Sequence, residues 1–415
     1  MSKNLKHNYK SVLLLGVGGI SMYQIALALK DLGLKVYGFD AKESEYTKKC
    51  KEHGIEITTK FKREFLKVDF CIKSAAITKC KYLTELKCLG VKIYDRAEVL
   101  GFLANKFKNV IAVAGTHGKS TTASLIYEIL RADGRKVSCH IGADVFAARF
   151  NIADDYLVLE ACEYNKSFLS FYPTVSVVTN VESDHLDSYG TLFNLKNAFS
   201  VFLRRGKLRF INDNKTTNYL KQIKDVQVAT RTELNIKPKI LGEHNMQNIS
   251  MAVAVCKKLG VDDEVIIQAV NSFIGVPRRY EFLGIKNNSK IYIDYAHHPT
   301  EINAFYETFN SEHEDCLIIF QPHTYSRTKY LLKQFVDVLS KIDNLIIYKE
   351  YAAREKPWQG VSAYELYEQI KGKNENIKYF ATSKALIRNM PKNKAISFVG
   401  AGNIDQIAKK FLKSY

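Results

Sequence analysis

The chain reads Gly115-Thr116-His117-Gly118-Lys119-Ser120-Thr121 between an apolar run at 110–114 and a helix-like segment at 123–130. The apolar run predicts a buried strand, the two glycines let backbone N–H groups surround an oligophosphate, and the N-terminus of the following helix favours the anion. Lys119 is expected to reach the outer phosphates and the Ser120 hydroxyl to bind Mg²⁺. Val113 stands where the common form of this loop has its first glycine. The stretch is therefore predicted to be a shortened phosphate-binding loop.

The sequence around this loop divides into three α/β units, a number in keeping with 415 residues. The first unit, 1–108, begins with an apolar strand pattern, a turn containing Gly18 and Gly19, and an amphipathic helix pattern. A second strand pattern ends in Asp40, which completes half of a nucleotide-binding fold. Ser21 stands at the third glycine position of a dinucleotide-binding turn, which weakens the match to a nicotinamide cofactor. A uridine diphosphate would use the same helix N-terminus.

The second unit, 109–277, contains the phosphate-binding loop and two further strand patterns, at 156–160 and 175–180. Both patterns end in polar residues. Because ligands of open parallel sheets lie beyond the carboxyl ends of the strands, the polar residues there are expected beside the phosphates. These residues are Glu160, Asn180, Glu182, Asp184 and His185. Among them, Glu160 and His185 are candidate metal ligands.

The third unit, 278–415, has apolar strand patterns at 290–294, 316–320, 345–348 and 395–399. The last pattern runs into a second glycine turn, Gly400-Ala401-Gly402-Asn403. No low-complexity tract separates the three units, so we expect short joints and closure between units to assemble the site. The predicted fold class is α/β.

Composition limits the classes of function. The formal net charge of +18 raises nucleic acid as a partner, but lysine supplies most of the excess and no arginine–aromatic clusters occur, so we expect none. Eight cysteines without a C-x-x-C pair suggest neither a zinc ribbon nor a disulfide framework. The basic N-terminus precedes an apolar run that glycines interrupt, and no run reaches the length of a membrane span. The protein is expected to be cytoplasmic.

Eight ordered stretches resemble the muramyl ligases of peptidoglycan synthesis. They lie at 16–22, 114–121, 160–164, 179–187, 242–248, 278–284, 294–301 and 320–328. The resemblance implies three domains, each with a mainly parallel sheet flanked by helices. These are a Rossmann-like UDP-binding domain at 1–108, a central P-loop ATPase-like domain at 109–277 and a Rossmann-like amino-acid-binding domain at 278–415.

The resemblance also implies ATP-dependent amide synthesis. His117 and the double histidine at 297 and 298 favour the alanine-adding branch. That branch joins L-alanine to the lactyl carboxylate of UDP-N-acetylmuramate through an acyl phosphate, and it releases ADP and phosphate. The small-molecule substrates, ATP and Mg²⁺ are then the expected partners, and the enzyme is expected to be a monomer or homodimer.

Site residues follow from the same resemblance, position by position. The implied catalytic residues are Lys119, Glu160 and His185, and the implied metal ligands are Ser120, Glu160 and His185. The implied ATP-binding residues are Gly115, Thr116, His117, Gly118, Lys119, Ser120, Thr121, Asn245, Asn248, Arg279 and Asp294. The implied UDP-substrate residues are Gly18, Gly19, Ile20, Asp40 and Ser74, and the implied amino-acid-binding residues are His298 and Arg327.

The sequence departs from the family pattern in two places. The segment 202–242 is shorter than in typical members, so outer strands of the central domain are expected to be trimmed or missing. Thr324 replaces one of two arginines that are common at the Q-P-H motif, which weakens the assignment of the amino-acid pocket. Lys196 is out of register for the carbamylated lysine of other branches, and none is expected.

Two alternatives stay open at this point. The first is another ligase of the same architecture, which recycles a muramyl peptide or adds to a folate. The glycine turn at 16–19 argues against the folate branch, because that branch lacks a UDP-binding first domain. The second is a nicotinamide-dependent oxidoreductase or a basic NTP-binding regulator, which the glycine turn and the charge favour but the order Lys119, Glu160, His185 does not.

Overall fold

The computed structural model describes residues 9–75, 77–142, 150–353, 355–358 and 360–414, except for the side chain of Asp187. The chain forms two compact units. One unit contains Met1–Lys237 with Gln247–Ser272 and carries two sheets, and the other contains Pro238–Met246 with Phe273–Tyr415 and carries the third. Within the described ranges, no helix is long and apolar enough to cross a membrane.

The first sheet has five parallel strands in the order β3-β2-β1-β4-β5. The strands are β1 Ser11–Leu15, β2 Lys35–Phe39, β3 Glu56–Thr58, β4 Phe70–Lys73 and β5 Lys92–Asp95, and the helices are α1 Ile20–Asp31, α2 Glu45–Glu52, α3 Lys81–Cys88 and α4 Arg96–Ala104, with a 3₁₀ turn at Arg63–Leu66. Val12 and Leu14 of β1 pack with α1 and α4, whereas Leu13 and Leu15 pack with α3. Both faces of the strand are therefore buried, which explains its unbroken apolar sequence.

The central sheet has six parallel strands in the order β11-β10-β9-β6-β8-β7. The strands are β6 Asn109–Ala114, β7 Val137–His140, β8 Tyr156–Glu160, β9 Val175–Val178, β10 Leu208–Asn212 and β11 Val226–Ala229; the helices are α5 Lys119–Ala132, α6 Leu186–Tyr189, α7 Leu192–Arg205, α8 Glu243–Lys258 and α9 Asp263–Ser272, with 3₁₀ turns at Tyr164–Ser170 and Asn218–Leu220. The strand order reverses around β6, whose neighbours are β8 and β9. Open α/β sheets bind ligands at such a reversal.

The third sheet has six strands in the order β12-β13-β17-β14-β15-β16. Its strands are β12 Glu281–Lys286, β13 Ser289–Asp294, β14 Leu317–Phe320, β15 Leu345–Tyr348, β16 Ile377–Phe380 and β17 Ala395–Val399; its helices are α10 Pro299–Glu312, α11 Tyr325–Tyr330, α12 Leu332–Leu339, α13 Ala363–Lys371, α14 Ser383–Arg388 and α15 Ile404–Lys413. The edge strand β12 is antiparallel to β13, and the other pairs are parallel.

The predicted α/β class with three mainly parallel sheets is confirmed. The sequence patterns did not identify β3, β7, β10, β11, β12 and β16. Polar or charged residues stand among the apolar ones in each of these strands, and β12 also contains Gly284 and a register shift beside it, so their apolar periodicity is weak. The short segment 202–242 supplies β10 and β11, and its remaining residues after Ala229 form no helix or strand. The predicted domain boundaries after residues 108 and 277 stay predictions.

Candidate functional site

The phosphate-binding loop lies at the strand-order reversal of the central sheet. Strand β6 ends at Ala114, and helix α5 begins at Lys119. Gly115 and Gly118 have φ values of +147° and +78°. A Cβ at Gly115 would lie 1.9 Å from Thr179 Oγ1, and a Cβ at Gly118 would lie 2.3 Å from Asn248 Oδ1. Both positions therefore need glycine for conformation and for space.

Residues that follow β9 hold the loop in place. The Asn180 side chain accepts from the His117 N–H at 2.8 Å and donates to the His117 carbonyl at 3.1 Å. The Thr116 hydroxyl accepts from the Glu182 N–H at 2.8 Å. The His117 ring lies 3.6 Å from a Glu182 carboxylate oxygen. The loop is thus preorganised by side-chain contacts rather than by its own sequence alone.

Lys119 is folded back over the loop. Its ammonium donates to the carbonyl oxygens of Gly115 and Thr116, the second at 3.0 Å. It also lies 3.1 Å from a carboxylate oxygen of Glu163. Burial by itself lowers the pKa of Lys119, but the nearby negative charge, above all that of Glu163, outweighs burial and raises it. The loop lysine is therefore a largely buried, charged group with an acidic partner.

Ser120 and Glu160 form the first pair of candidate cation ligands. The Ser120 hydroxyl donates to Glu160 Oε2 at 3.0 Å, and the same oxygen accepts from the Gly142 N–H at 2.9 Å. A hydroxyl and a carboxylate side by side at the start of a phosphate-binding helix are oxygen donors of the kind that Mg²⁺ prefers. The structure thus brings together two of the three predicted metal ligands.

The third predicted ligand, His185, belongs to a different cluster. Its Nε2 lies 3.8 Å from Glu163 Oε1 and 3.5 Å from Asp184 Oδ2. One ligand atom from each of Glu163, Asp184 and His185 lies within 4.8 Å of the others. His185 precedes α6 and has a left-handed backbone, with φ of +54°. Its ring lies 5.0 Å from the Tyr164 ring. The prediction missed Glu163, although the residue lies within the stretch 160–164 that follows β8.

The other residues predicted to bind ATP lie on separate elements. Helix α8 carries both Asn245 and Asn248, as predicted. Asn248 is buried and its Oδ1 accepts from the Thr122 hydroxyl at 3.2 Å. Asn245 donates to the Leu241 carbonyl at 2.7 Å. Thr121 is buried in the first turn of α5.

In the third sheet, Asp294 ends β13 and is buried. Its two carboxylate oxygens accept from the N–H groups of Tyr280 and Ala296, at 2.8 Å and 2.6 Å. Burial raises the pKa of Asp294 to about 6, and the charge of Arg279 and the hydrogen bonds oppose that rise. Arg279 lies 3.4 Å from Glu301 and 5.2 Å from the ring centroid of Tyr295. Asp294 thus orders the turn that precedes β12.

The two residues predicted to bind an amino acid have different local roles. His298 is buried and caps α10, where its Nδ1 accepts from the Thr300 N–H at 3.3 Å. Arg327 on α11 lies 3.1 Å from His323 Nδ1. The His323 ring stacks on Tyr351.

His297 and His323 lie in one cluster with Arg327. Arg327 contacts His323, and the rings of His297 and His323 lie 6.0 Å apart. The sequence analysis did not assign either histidine to the site, although both lie in the matched stretches. Thr324, between β14 and α11, has φ of +69°. This conformation is rare for a β-branched residue and marks a strained loop.

The glycine turn of the first sheet lies between β1 and α1. The Gly18 N–H donates to Asp40 Oδ2 at 2.8 Å, and Asp40 Oδ1 accepts from the Lys42 N–H at 3.2 Å. Gly19 precedes α1, whose first N–H groups, from Ile20 on, lack a capping side chain. Among the described residues, the buried Ser74 hydroxyl has no hydrogen-bond partner, and a Cβ at Gly16 would lie 2.4 Å from it. A bound ligand can satisfy such groups.

Ser21 connects this turn to the central sheet. Its hydroxyl lies 2.6 Å from Arg96 Nη1 and 2.8 Å from Nε2 of the buried His140 at the end of β7. Because arginine only donates, the Ser21 hydroxyl accepts from Arg96. Burial, with a smaller contribution from the Arg96 charge, lowers the pKa of His140 to about 3. The residue at the third glycine position is thus one link in a buried polar chain.

Family models match all three sheets. The model described as Mur ligase family, catalytic domain, matches residues 12–108; the Mur ligase middle domain matches residues 113–232; and the Mur ligase, glutamate ligase domain, matches residues 278–402.

Proteins that are similar in sequence to this chain are named as UDP-N-acetylmuramate–L-alanine ligases. The UDP-N-acetylmuramate–L-alanine ligase of Caldicellulosiruptor saccharolyticus is 37% identical over 96% of this chain and 97% of its own length. The enzyme of the same name from Acetivibrio thermocellus is 34% identical over 98% of this chain and 96% of its own length.

Solved structures show the same fold. The UDP-N-acetylmuramate-alanine ligase of Thermotoga maritima has a TM-score of 0.82 at 24% identity and covers 98% of this chain and 99% of its own. A murein peptide ligase of Psychrobacter arcticus has a TM-score of 0.70 at 19% identity and covers 97% of this chain and 98% of its own. Since relatives above 30% identity span nearly the whole sequence and the family models match each of its three sheets, the chain belongs to the Mur ligase family.

Proposed function

We propose that the protein is an ATP-dependent ligase that joins L-alanine to the lactyl carboxylate of UDP-N-acetylmuramate in peptidoglycan precursor synthesis. The observation that carries the proposal is the loop from Gly115 to Ser120, where a largely buried lysine and the pair of Ser120 with Glu160 lie together at the strand-order reversal of the central sheet. The proposal is supported by relatives named for this activity that align over nearly the full chain. It includes a cytoplasmic location and a monomeric or homodimeric enzyme.

The chemistry explains why such a loop is needed. A carboxylate carries negative charge and no good leaving group, so an amine does not displace its oxygen at a useful rate. Transfer of the γ-phosphoryl group to the carboxylate makes an acyl phosphate. The amine attacks the carbonyl carbon of that acyl phosphate, and the tetrahedral intermediate expels phosphate as the amide forms. Phosphoryl transfer depends mainly on positioning and on neutralising charge, which a lysine at the phosphates supplies.

Two groups of side chains fit divalent cations. Ser120 and Glu160 offer oxygen donors beside the phosphate-binding loop. Glu163, Asp184 and His185 offer two carboxylates and an imidazole whose ligand atoms lie within 4.8 Å of one another. Bound Mg²⁺ would neutralise charge on the transferred phosphoryl group. The chain's own contribution is to fix these ligands at the ends of β8 and β9.

The first and third sheets would bind the other two substrates. In the first sheet, the free N–H groups at the start of α1, together with the orphaned Ser74 hydroxyl, suit the diphosphate of the UDP-sugar. In the third sheet, the Arg327 guanidinium offers a planar fork for the α-carboxylate of the amino acid. Asp294 and Arg279 remain the proposed nucleotide contacts of that sheet, for ribose and phosphate respectively.

The test measures phosphate release from ATP with UDP-N-acetylmuramate fixed and with L-alanine, glycine or L-serine as the amine. We expect release only when all three substrates are present, and Lys119→Ala should abolish it. The proposal is wrong if no amine stimulates turnover, or if Lys119→Ala leaves the rate unchanged.

A further inference from the structure

The Lys119 ammonium has no spare donor for a phosphate. A lysine ammonium carries three N–H donors. The loop carbonyls of Gly115 and Thr116 accept two of them, and Glu163 accepts the third at 3.1–3.3 Å. To reach the phosphates of a nucleotide, Lys119 must give up at least part of this arrangement. The Glu163 contact is the one that carries an opposing charge.

Removing Lys119 changes the charge balance around Glu163. The Glu163 side chain is only 3% exposed, so water cannot replace the lysine. The Asp184 side chain, which belongs to the same cluster, is 10% exposed. An unpaired buried carboxylate is costly. Another cation near Glu163 would offset this cost when the lysine moves to the nucleotide.

The neighbouring groups are suited to provide that cation site. Asp184 and His185 present ligand atoms within 4.8 Å of a Glu163 oxygen. Glu160 differs, because its Oε2 is bound by the Ser120 hydroxyl and the Gly142 N–H. The two acids at the end of β8 thus have separate tasks.

We propose that Glu163 is a positioning residue that holds Lys119 over the phosphate-binding loop before the nucleotide binds and exchanges it for a divalent cation when the nucleotide binds. The inference rests on the proposed function, since it assumes that the loop binds ATP. Nucleotide and cation binding are coupled through this exchange: the nucleotide takes the lysine, and the cation takes its place beside Glu163. Each ligand then raises the affinity for the other.

Nucleotide-binding titrations test the exchange. The dissociation constant of ADP and of a non-hydrolysable ATP analogue is measured by calorimetry, once in EDTA and once with MnCl₂. Wild type is compared with Glu163→Gln and with Asp184→Asn, which removes a negative charge from the same cluster without touching the contact to Lys119. Asp213→Asn removes a half-exposed acid that pairs with Lys221 and serves as the control.

Three results are expected. In EDTA, Glu163→Gln binds nucleotide about tenfold more tightly than wild type, because the lysine is already released. The gain in affinity that Mn²⁺ produces falls by about tenfold in the same variant. Asp184→Asn also shows a smaller gain in affinity from Mn²⁺, but it keeps the wild-type affinity in EDTA. Asp213→Asn behaves like wild type under both conditions.

Other results overturn the inference. It is wrong if Glu163→Gln has the wild-type affinity in EDTA, if Mn²⁺ strengthens nucleotide binding equally in both proteins, or if Asp184→Asn also binds more tightly in EDTA. The last result would mean that simple charge repulsion explains the effect. If wild type binds no nucleotide under either condition, the proposed function fails as well. Glu163→Met must show the same two changes and replaces Glu163→Gln if that variant does not fold.

Discussion

The buried imidazole of His140 predicts how stability depends on pH. Its pKa in the folded protein is about 3, whereas the ordinary value is 6.5. Below about pH 6.5 the unfolded chain therefore binds a proton that the folded protein does not bind. The contribution of His140 to stability is complete above pH 6.5 and is lost as the pH falls towards 3.

The magnitude follows from the size of this shift. One pKa unit corresponds to about 1.4 kcal/mol. Between pH 7 and pH 5 only the unfolded chain gains the proton, so this group alone lowers the free energy of unfolding by about 2 kcal/mol. The low pKa arises mainly from burial, since the ring lies at the end of β7 against Ser21.

His140→Gln tests this value because glutamine is polar and does not titrate. Urea unfolding followed by circular dichroism gives the free energy of unfolding at pH 7 and at pH 5. The variant should lose about 2 kcal/mol less than wild type over this interval. Equal losses in wild type and His140→Gln would refute the reasoning.

Three further predictions concern the phosphate-binding loop, Thr324 and Arg327. Gly115→Ala should abolish phosphate release, because the new Cβ would lie 1.9 Å from Thr179 Oγ1. Gly134→Ala is the control, because its Cβ meets nothing within 4 Å. This variant should lose only about 1 kcal/mol of stability in thermal melting and keep turnover. Thr324→Gly should remove backbone strain worth about 1 kcal/mol and leave the urea midpoint equal or higher, so a clear drop would contradict the strain. Arg327→Lys should raise the KM for L-alanine about tenfold in steady-state assays, with the KM for ATP unchanged as the contrast.

Features that depend on neighbours in sequence were predictable. The loop from Gly115 to Ser120 could be identified because strand, glycine turn and helix follow one another directly, and each has its own local signal. Glu160 could be identified because polar residues at the carboxyl ends of parallel strands share one edge of the sheet. The apolar run at 110–114 predicted a buried strand, and Val110 to Ala114 of β6 are buried.

Some strands, and the way in which strands pair in the sheets, were not predictable. Strand β7 contains the polar residues Ser138 and His140 among its four residues, so it lacks the unbroken apolar run that indicated the equally short β15. The antiparallel edge strand β12 contains a glycine and a register shift, so its pattern is broken where the pairing is irregular. Whether such a segment forms a strand depends less on its own β-propensity than on its contacts with the neighbouring strand.

By itself, the sequence determined the α/β class, the position of the phosphate-binding loop and the residue types at the strand ends. Only the tertiary structure decided that Glu163, rather than Glu160, pairs with Lys119 and that His185 joins Glu163 and Asp184. It also decided that Ser21 connects Arg96 to His140. The physical reason is that charge pairing and burial act over a few ångströms between residues that are distant in the chain, such as Lys119 and Glu163, 44 positions apart, and Ser21 and His140, 119 positions apart. Their proximity depends on strand order and packing.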